Sequence, residues 1–342
     1  MNKKILIVGA VALTIGIGSL AVINNINTNM VNSIKQVLES KDSFVKKHGK
    51  ITCSIIEDKC SILNIEGKDN TLIDKIEINK IKNLEIFFDK EGKLTEKGLD
   101  PKKSYKVSTN LKAYNVREKG KNILENIQTS NIPDNIKEKF KKSKLNIETI
   151  LTIKGKGNKT NVSIENEIEL TKLMTFKIDL NAFFISSLKE VLGNLNNEKG
   201  MQSLYKAIGI DKIALGLENK GGLIDFFYIS YLNEINSYKN NLYVNNLYFG
   251  ETSEKVLSEK EFKELFLKRV NSKETTENIN TIANSFNINI NIKALKDFLN
   301  EKNKEITFEI KSKEEQLLIK QLYLIQLGDY ASLINSYKLE IN

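Results

Sequence analysis

Between Lys4 and Lys35 the chain carries no charged side chain, and Ile5 to Ile23 is an apolar run broken only by the hydroxyls of Thr14 and Ser19. A stretch like this has few places to go. At about 1.5 Å per residue, a helix of that length covers the roughly 30 Å hydrocarbon core of a bilayer. Lys3 and Lys4 bias the start toward the cytosolic side. Residues 1–27 therefore read as a signal anchor, single-pass in the inner (cytoplasmic) membrane, with the C-terminal part in the periplasm or outside the cell. A signal peptide is the competing reading, because Ser19-Leu20-Ala21 offers a small-residue cleavage site after a core of Ile5 to Ile17. Spanning length favours the anchor, and no cysteine follows the run to accept a lipid.

Some 310 residues remain, enough for one large domain or two modest ones. The formal charge of +9 points toward nucleic acid or anionic lipid. Of the 52 cations, however, only Arg117 and Arg269 are arginines. Phosphate and base-edge recognition leans on the rigid guanidinium fork, which lysine cannot reproduce. A lysine-rich solvated surface and an exported location together argue against a nucleic-acid partner.

Cys53 and Cys60 are the only cysteines, and outside the cytosol an even pair is read as a disulfide. Residues 50–65 form a hairpin pattern with its turn at Ile56 to Asp58, and a loop centred between Ile56 and Glu57 sets Cys53 opposite Cys60. Directly opposed residues of a non-hydrogen-bonded pair have the Cα separation that a disulfide requires. The spacing does not match a redox C-x-x-C. With one histidine in the chain, a four-ligand zinc site cannot be completed either.

Downstream of the apolar run, Met30, Ile34, Val37, Leu38 and Phe44 or Val45 recur at helical spacing. The pattern predicts a juxtamembrane amphipathic helix over 28–49, with Lys46, Lys47 and His48 in its last turn and Gly49 as its stop. Period-two alternation follows at Ile76 and Ile78 and along Tyr105 to Ala113. It then predicts a long hairpin of Ile147 to Ile153 and Val162 to Leu170 around Gly155-Lys-Gly-Asn158, and a third strand at Phe176 to Leu180. Helical stripes are read at Ile123 to Ile127, Ile136 to Phe140, Phe184 to Leu195 and Met201 to Ile208.

In the second half, Ile213 to Leu217, Leu223 to Leu232 and Leu242 to Phe249 are expected to be strands. Ser258-Glu-Lys-Glu261 is a capping box that opens a helix. Helical stripes at Ile279 to Phe286, Ile292 to Leu299 and Leu317 to Leu327, with strands at Ile306 to Ile310 and Tyr337 to Ile341, complete the reading. Strands grouped in meanders without regular β-α-β alternation indicate an α+β fold. The expected plan is an N-terminal transmembrane helix followed by antiparallel β-meanders packed with helices. The extracytoplasmic α+β domain covers 50–342, with two halves, 50–209 and 210–342, as a possible subdivision.

Catalytic motifs do not emerge. His48 lies before the folded body, and no G-x-S-x-G elbow exists. The Ser-x-x-Lys matches, those at Ser43 and Ser186 among them, are what so many lysines produce by chance. Gly155 to Thr160 fails the phosphate-loop spacing. No catalytic residue, metal ligand or cofactor is assigned. The stretch Leu223 to Leu232 is apolar on both faces of the expected strand. Its blander reading is a covered central strand; its functional reading is a ligand groove lined by Phe226, Tyr228 and Tyr231, with Tyr243, Tyr248 and Phe249 adjoining. The function expected is a non-catalytic, membrane-anchored cell-envelope (periplasmic) protein that binds another envelope protein or a lipid-like ligand. The alternative is a cell-wall or glycan hydrolase using paired carboxylates.

Overall fold

The computed structural model describes residues 31, 32, 34, 35, 38, 39, 43–54, 56–80, 99, 100, 102–119, 132–195, 198–250, 254–286, 288–327, 329, 332 and 335–342. The apolar run of residues 5–23 and the helical stripe at Ile123 to Ile127 lie outside these. No helix among the described residues is long and apolar enough to cross a membrane.

One sheet runs through the chain. Its strands are β1 (Val45–Lys47), β2 (Ile51–Ser54), β3 (Lys59–Gly67), β4 (Thr71–Asn79), β5 (Tyr105–Tyr114), β6 (Arg117–Glu118), β7 (Leu145–Lys156), β8 (Lys159–Leu170), β9 (Met174–Phe184), β10 (Ile208–Asn219), β11 (Ile288–Ile290), β12 (Glu305–Ser312) and β13 (Tyr337–Ile341). The spatial order is β1-β3-β4-β5-β7-β8-β9-β10-β12-β13-β11, with β2 also on β3 and β6 on β4. Every pairing is antiparallel except β11 with β13. Residue 210 sits inside β10, which pairs with β9 along its length, so both halves of the chain share this sheet.

Helices fill the connections: α1 (Asp134–Lys141), α2 (Leu188–Leu195), α3 (Glu198–Ala207), α4 (Leu223–Tyr238), α5 (Asn241–Phe249), α6 (Glu259–Val270), α7 (Lys273–Phe286), α8 (Ile292–Leu299) and α9 (Leu318–Gln326). The local chemistry explains several boundaries. Ser258 and Glu261 close a complete capping box on α6. Asn240 caps α5 by accepting from the Tyr243 N–H, and Gly250 ends it with φ +68°. Asn219 Oδ1 accepts from the N–H groups of Gly221, Gly222 and Leu223, tying the end of β10 to the start of α4.

The structure corrects three expectations. Leu223 to Leu232 and Leu242 to Phe249 are helices, α4 and α5, not strands. Apolar residues on all sides of a short segment leave no clear period to separate the two; in α4 they answer to burial from several sides, while α5 leaves Leu242, Tyr243 and Leu247 exposed. The helix expected over 28–49 does not reach Gly49. Ile34 and Leu38 are buried helical positions, but Val45–Lys47 pairs with β3. Sheet hydrogen bonding at that edge outweighs a weak helical stripe, and His48 is left half-buried, with its Nδ1 2.9 Å from the Gly49 carbonyl oxygen and its Nε2 3.6 Å from Glu39.

The disulfide hairpin has the register that its turn dictates. Cys53 pairs with Cys60 across β2 and β3, with Cα atoms 4.1 Å apart, and the two are bonded.

Alternation along the strands sends apolar side chains to one face of the sheet, and two separate cores cover it. The first takes Ile62, Ile76, Val107, Leu111 and Ile147 under Leu188 and Leu192 of α2, together with Ile34 and Leu38. Gly155 is what lets α2 come so close, since a Cβ there would sit 2.7 Å from Leu188 Cβ. The second core gathers Leu170, Met174, Leu217, Ile306 and Ile341 beneath α4, α5, α6 and α8.

Candidate apolar binding face

Between the two cores, part of the apolar face of the sheet is left half-exposed. Registers across β8, β9, β10 and β12 align three rows of side chains on the apolar face. One row is Asn166, Ile178, Leu215 and Phe308; the next is Ile164, Leu180, Ile213 and Ile310; the third is Ile168, Phe176, Leu217 and Ile306. The third row borders the second core, where Ile306 is buried. Toward the middle the cover ends: Phe176 is 40% exposed, Leu215 47%, Phe308 39% and Ile310 38%. Three gaps of about 4.8 Å between four strands and two gaps of about 6.8 Å between three same-face positions give a footprint of roughly 14 by 14 Å. At about 200 Å² it is smaller than the largest apolar patch of a typical monomer, but it is contiguous, where exposed apolar residues are normally scattered singly.

The opposite face of the same strands is polar and carries several ion pairs. Lys177 bonds Glu305 at 2.8 Å, Lys212 bonds Glu309 at 2.5 Å and Lys220 bonds Glu169 at 2.7 Å. Nearer the first core, Glu77 is 7% exposed and collects Lys59 at 2.7 Å, the Tyr114 hydroxyl at 2.9 Å and Lys75. Burial alone would raise its carboxyl, but these hydrogen bonds outweigh that and hold it at about 2. Burial, then the bond to Glu77, pushes the Tyr114 phenol up to about 12.

A polar hollow of 150 Å³ on this face is lined by Lys112, Tyr114, Asn146, Glu148, Glu167 and Glu169. Glu148 and Glu167 are cross-strand partners there. Glu148 is bonded by Lys112 at 2.7 Å and by Asn110. The Lys220 hydrogen bond holds the Glu169 carboxyl below the usual range. A glycosidase acid needs the reverse, a carboxyl kept protonated near neutral pH. No group of three or more metal-ligating side chains is assembled among the described residues.

The six aromatic residues expected to line a groove come together only in part. Tyr228, Tyr231 and Phe249 are buried in the second core around Phe262. Phe226 packs on Phe140 with ring centroids 5.0 Å apart. Tyr248 lies beside Tyr231 and donates to Glu234 at 3.0 Å. Tyr243, 48% exposed, pairs instead with Tyr238 at the turn between α4 and α5. The buried hydroxyls pin the loop before α6: Tyr228 donates to the Leu257 carbonyl, and Tyr231 donates to Asn245 and accepts from the Leu257 N–H. These tyrosines hold helices together.

Leu215, Phe308 and Phe176 did not stand out in the sequence. Strand alternation marked their face, but an apolar strand face reads the same whether or not something covers it. No family model matches the chain, and no curated protein matches it in sequence.

Proposed function

We propose that this is a non-catalytic, membrane-anchored cell-envelope protein whose extracytoplasmic domain binds a lipid-like ligand on the uncovered apolar face of β8, β9, β10 and β12. The observation that carries this reading is the run of half-exposed large apolar side chains between two cores, at Phe176, Leu215, Phe308 and Ile310. None of the twelve positions in the three rows carries a charge. Covering about 200 Å² of apolar protein surface is worth on the order of 5 kcal/mol before ordering costs, enough for weak, reversible binding. It is well short of the roughly 800 Å² per partner in a stable protein interface, which favours a small amphipathic occupant over a protein. The apolar N-terminal run supports the membrane location by its length and flanking lysines.

The hydrolase reading gains little from the polar hollow, because Glu148 and Glu169 are each held by a lysine. The test is photo-crosslinking in proteoliposomes that contain the full chain and a phospholipid with a diazirine in its acyl chain. Labelled peptides should include Phe176 to Leu180, Ile213 to Leu217 and Phe308 to Ile310. Labelling confined to residues 1–27 would contradict the proposal.

A further inference from the structure

Asn166 is the one polar side chain among the twelve positions of the apolar face. It stands at the head of the row that continues through Ile178, Leu215 and Phe308. Its Oδ1 accepts a 2.8 Å hydrogen bond from the hydroxyl of Thr149, which is 5% exposed and directly opposite on β7. That bond orients the carboxamide, so Oδ1 is turned toward β7 and the Nδ2 donors away from it. No acceptor lies within hydrogen-bond distance of Nδ2 among the described residues. A fixed, neutral donor thus sits at the margin of an uncharged apolar surface.

We infer that Asn166 is the specificity-determining contact of the lipid-like ligand, and that the ligand is an ester-linked acyl chain whose carbonyl oxygen accepts from Nδ2. This rests on the binding reading above and names its ligand class. A hydrocarbon or isoprenoid chain has no acceptor and would leave the donor unpaired where the ligand displaces water. A free fatty acid brings a carboxylate onto a face where none of the twelve positions supplies a cation, and desolvating that charge is costly. An ester carbonyl is neutral and accepts from an amide, so it matches in both charge and hydrogen-bonding sense. With the carbonyl at Asn166, the chain lies over Ile178, Leu215 and Phe308, where the exposed apolar area is.

The experiment compares two diazirine phospholipids in proteoliposomes with the full chain: one ester-linked, the other its ether-linked counterpart, which differs only in lacking the carbonyl. Crosslinking is read on the sheet peptides. The wild type should favour the ester lipid roughly fivefold, the scale of one net hydrogen bond. Asn166→Leu should bring the ratio to about one while ether-lipid labelling persists. The Thr149→Val/Asn166→Leu pair, which leaves no orphaned hydroxyl, should do the same. Equal labelling of the wild type by both lipids, or a preference that survives in the variants, would overturn the inference and leave the binding reading standing. Absence of sheet labelling with either lipid would instead remove the binding reading, and this inference with it.

Discussion

Replacing Glu77 with Gln isolates an electrostatic contribution on the polar face. The carboxyl is held at about 2 against an ordinary value of 4.5, with Lys59, Lys75 and Tyr114 all directed at it. A folded-state pKa below the unfolded one means that the unfolded chain takes up the proton first as pH falls. The stabilisation is therefore complete above about pH 5 and is lost as pH drops from 4.5 through 2. A depression of about 2.5 units corresponds to roughly 3 kcal/mol, and Glu77 is buried enough that solvent screening removes little of it. Urea unfolding followed by far-ultraviolet circular dichroism, at pH 7 and across pH 5 to 2, measures it. Glu77→Gln should be about 2–3 kcal/mol less stable than the wild type at pH 7, with roughly half of that gap left near pH 3 and almost none at pH 2. A gap that stays constant across the series would refute the reasoning, because lost packing, unlike lost charge, does not titrate.

Tyr231→Phe removes a fully buried hydroxyl and orphans both the Leu257 N–H and one bond of Asn245, so thermal unfolding should show a loss of about 2–3 kcal/mol. An unchanged melting temperature would mean that the loop before α6 is held by other contacts. Reducing Cys53–Cys60 should cost about 2–3 kcal/mol on the chain-entropy model, read as a shift of the urea midpoint that Cys53→Ser/Cys60→Ser reproduces without reductant. Above pH 10 the chain should lose stability, since burial and then Glu234 push the Tyr248 phenol up to about 12. There the folded-state pKa exceeds the unfolded one, so the contribution holds below about pH 10 and fades toward 12. Tyr248→Phe should make that alkaline slope shallower, leaving the share of Tyr114, and an unaltered slope would assign it elsewhere.

Much of the sheet was legible because one physical signal, period-two alternation, is strong wherever one face is buried and the other wet. The β7–β8 hairpin with its Gly157 turn, the β9 strand and the Cys53–Cys60 register all follow from it. The Ser258 capping box likewise predicts its own helix. Helix α5 escaped because Leu242, Tyr243 and Leu247 are apolar yet exposed, and α4 because its surroundings erase the pattern. Leu223, Ile224, Tyr228, Ile229, Tyr231 and Leu232 are all buried, so no polar stripe marks a helical face, and aromatic and β-branched residues weight the run toward strand. Val45 to Lys47 went the other way, a short edge strand whose spacing mimics the end of a helix. The candidate site was hidden for a different reason. Leu215 and Phe308 alternate as core residues do, and whether a strand face is roofed depends on helices encoded elsewhere in the chain.

The most direct measurement is native mass spectrometry of the protein extracted from its own membrane, wild type beside Leu215→Glu/Phe308→Glu. Both changes fall on half-exposed positions, so the fold tolerates them, yet each sets a charge on the apolar face. The wild type should retain one or more acyl lipids that the double variant has lost, with the disulfide intact in both. Equal lipid retention by the two proteins would contradict the claim that this face is where the ligand binds.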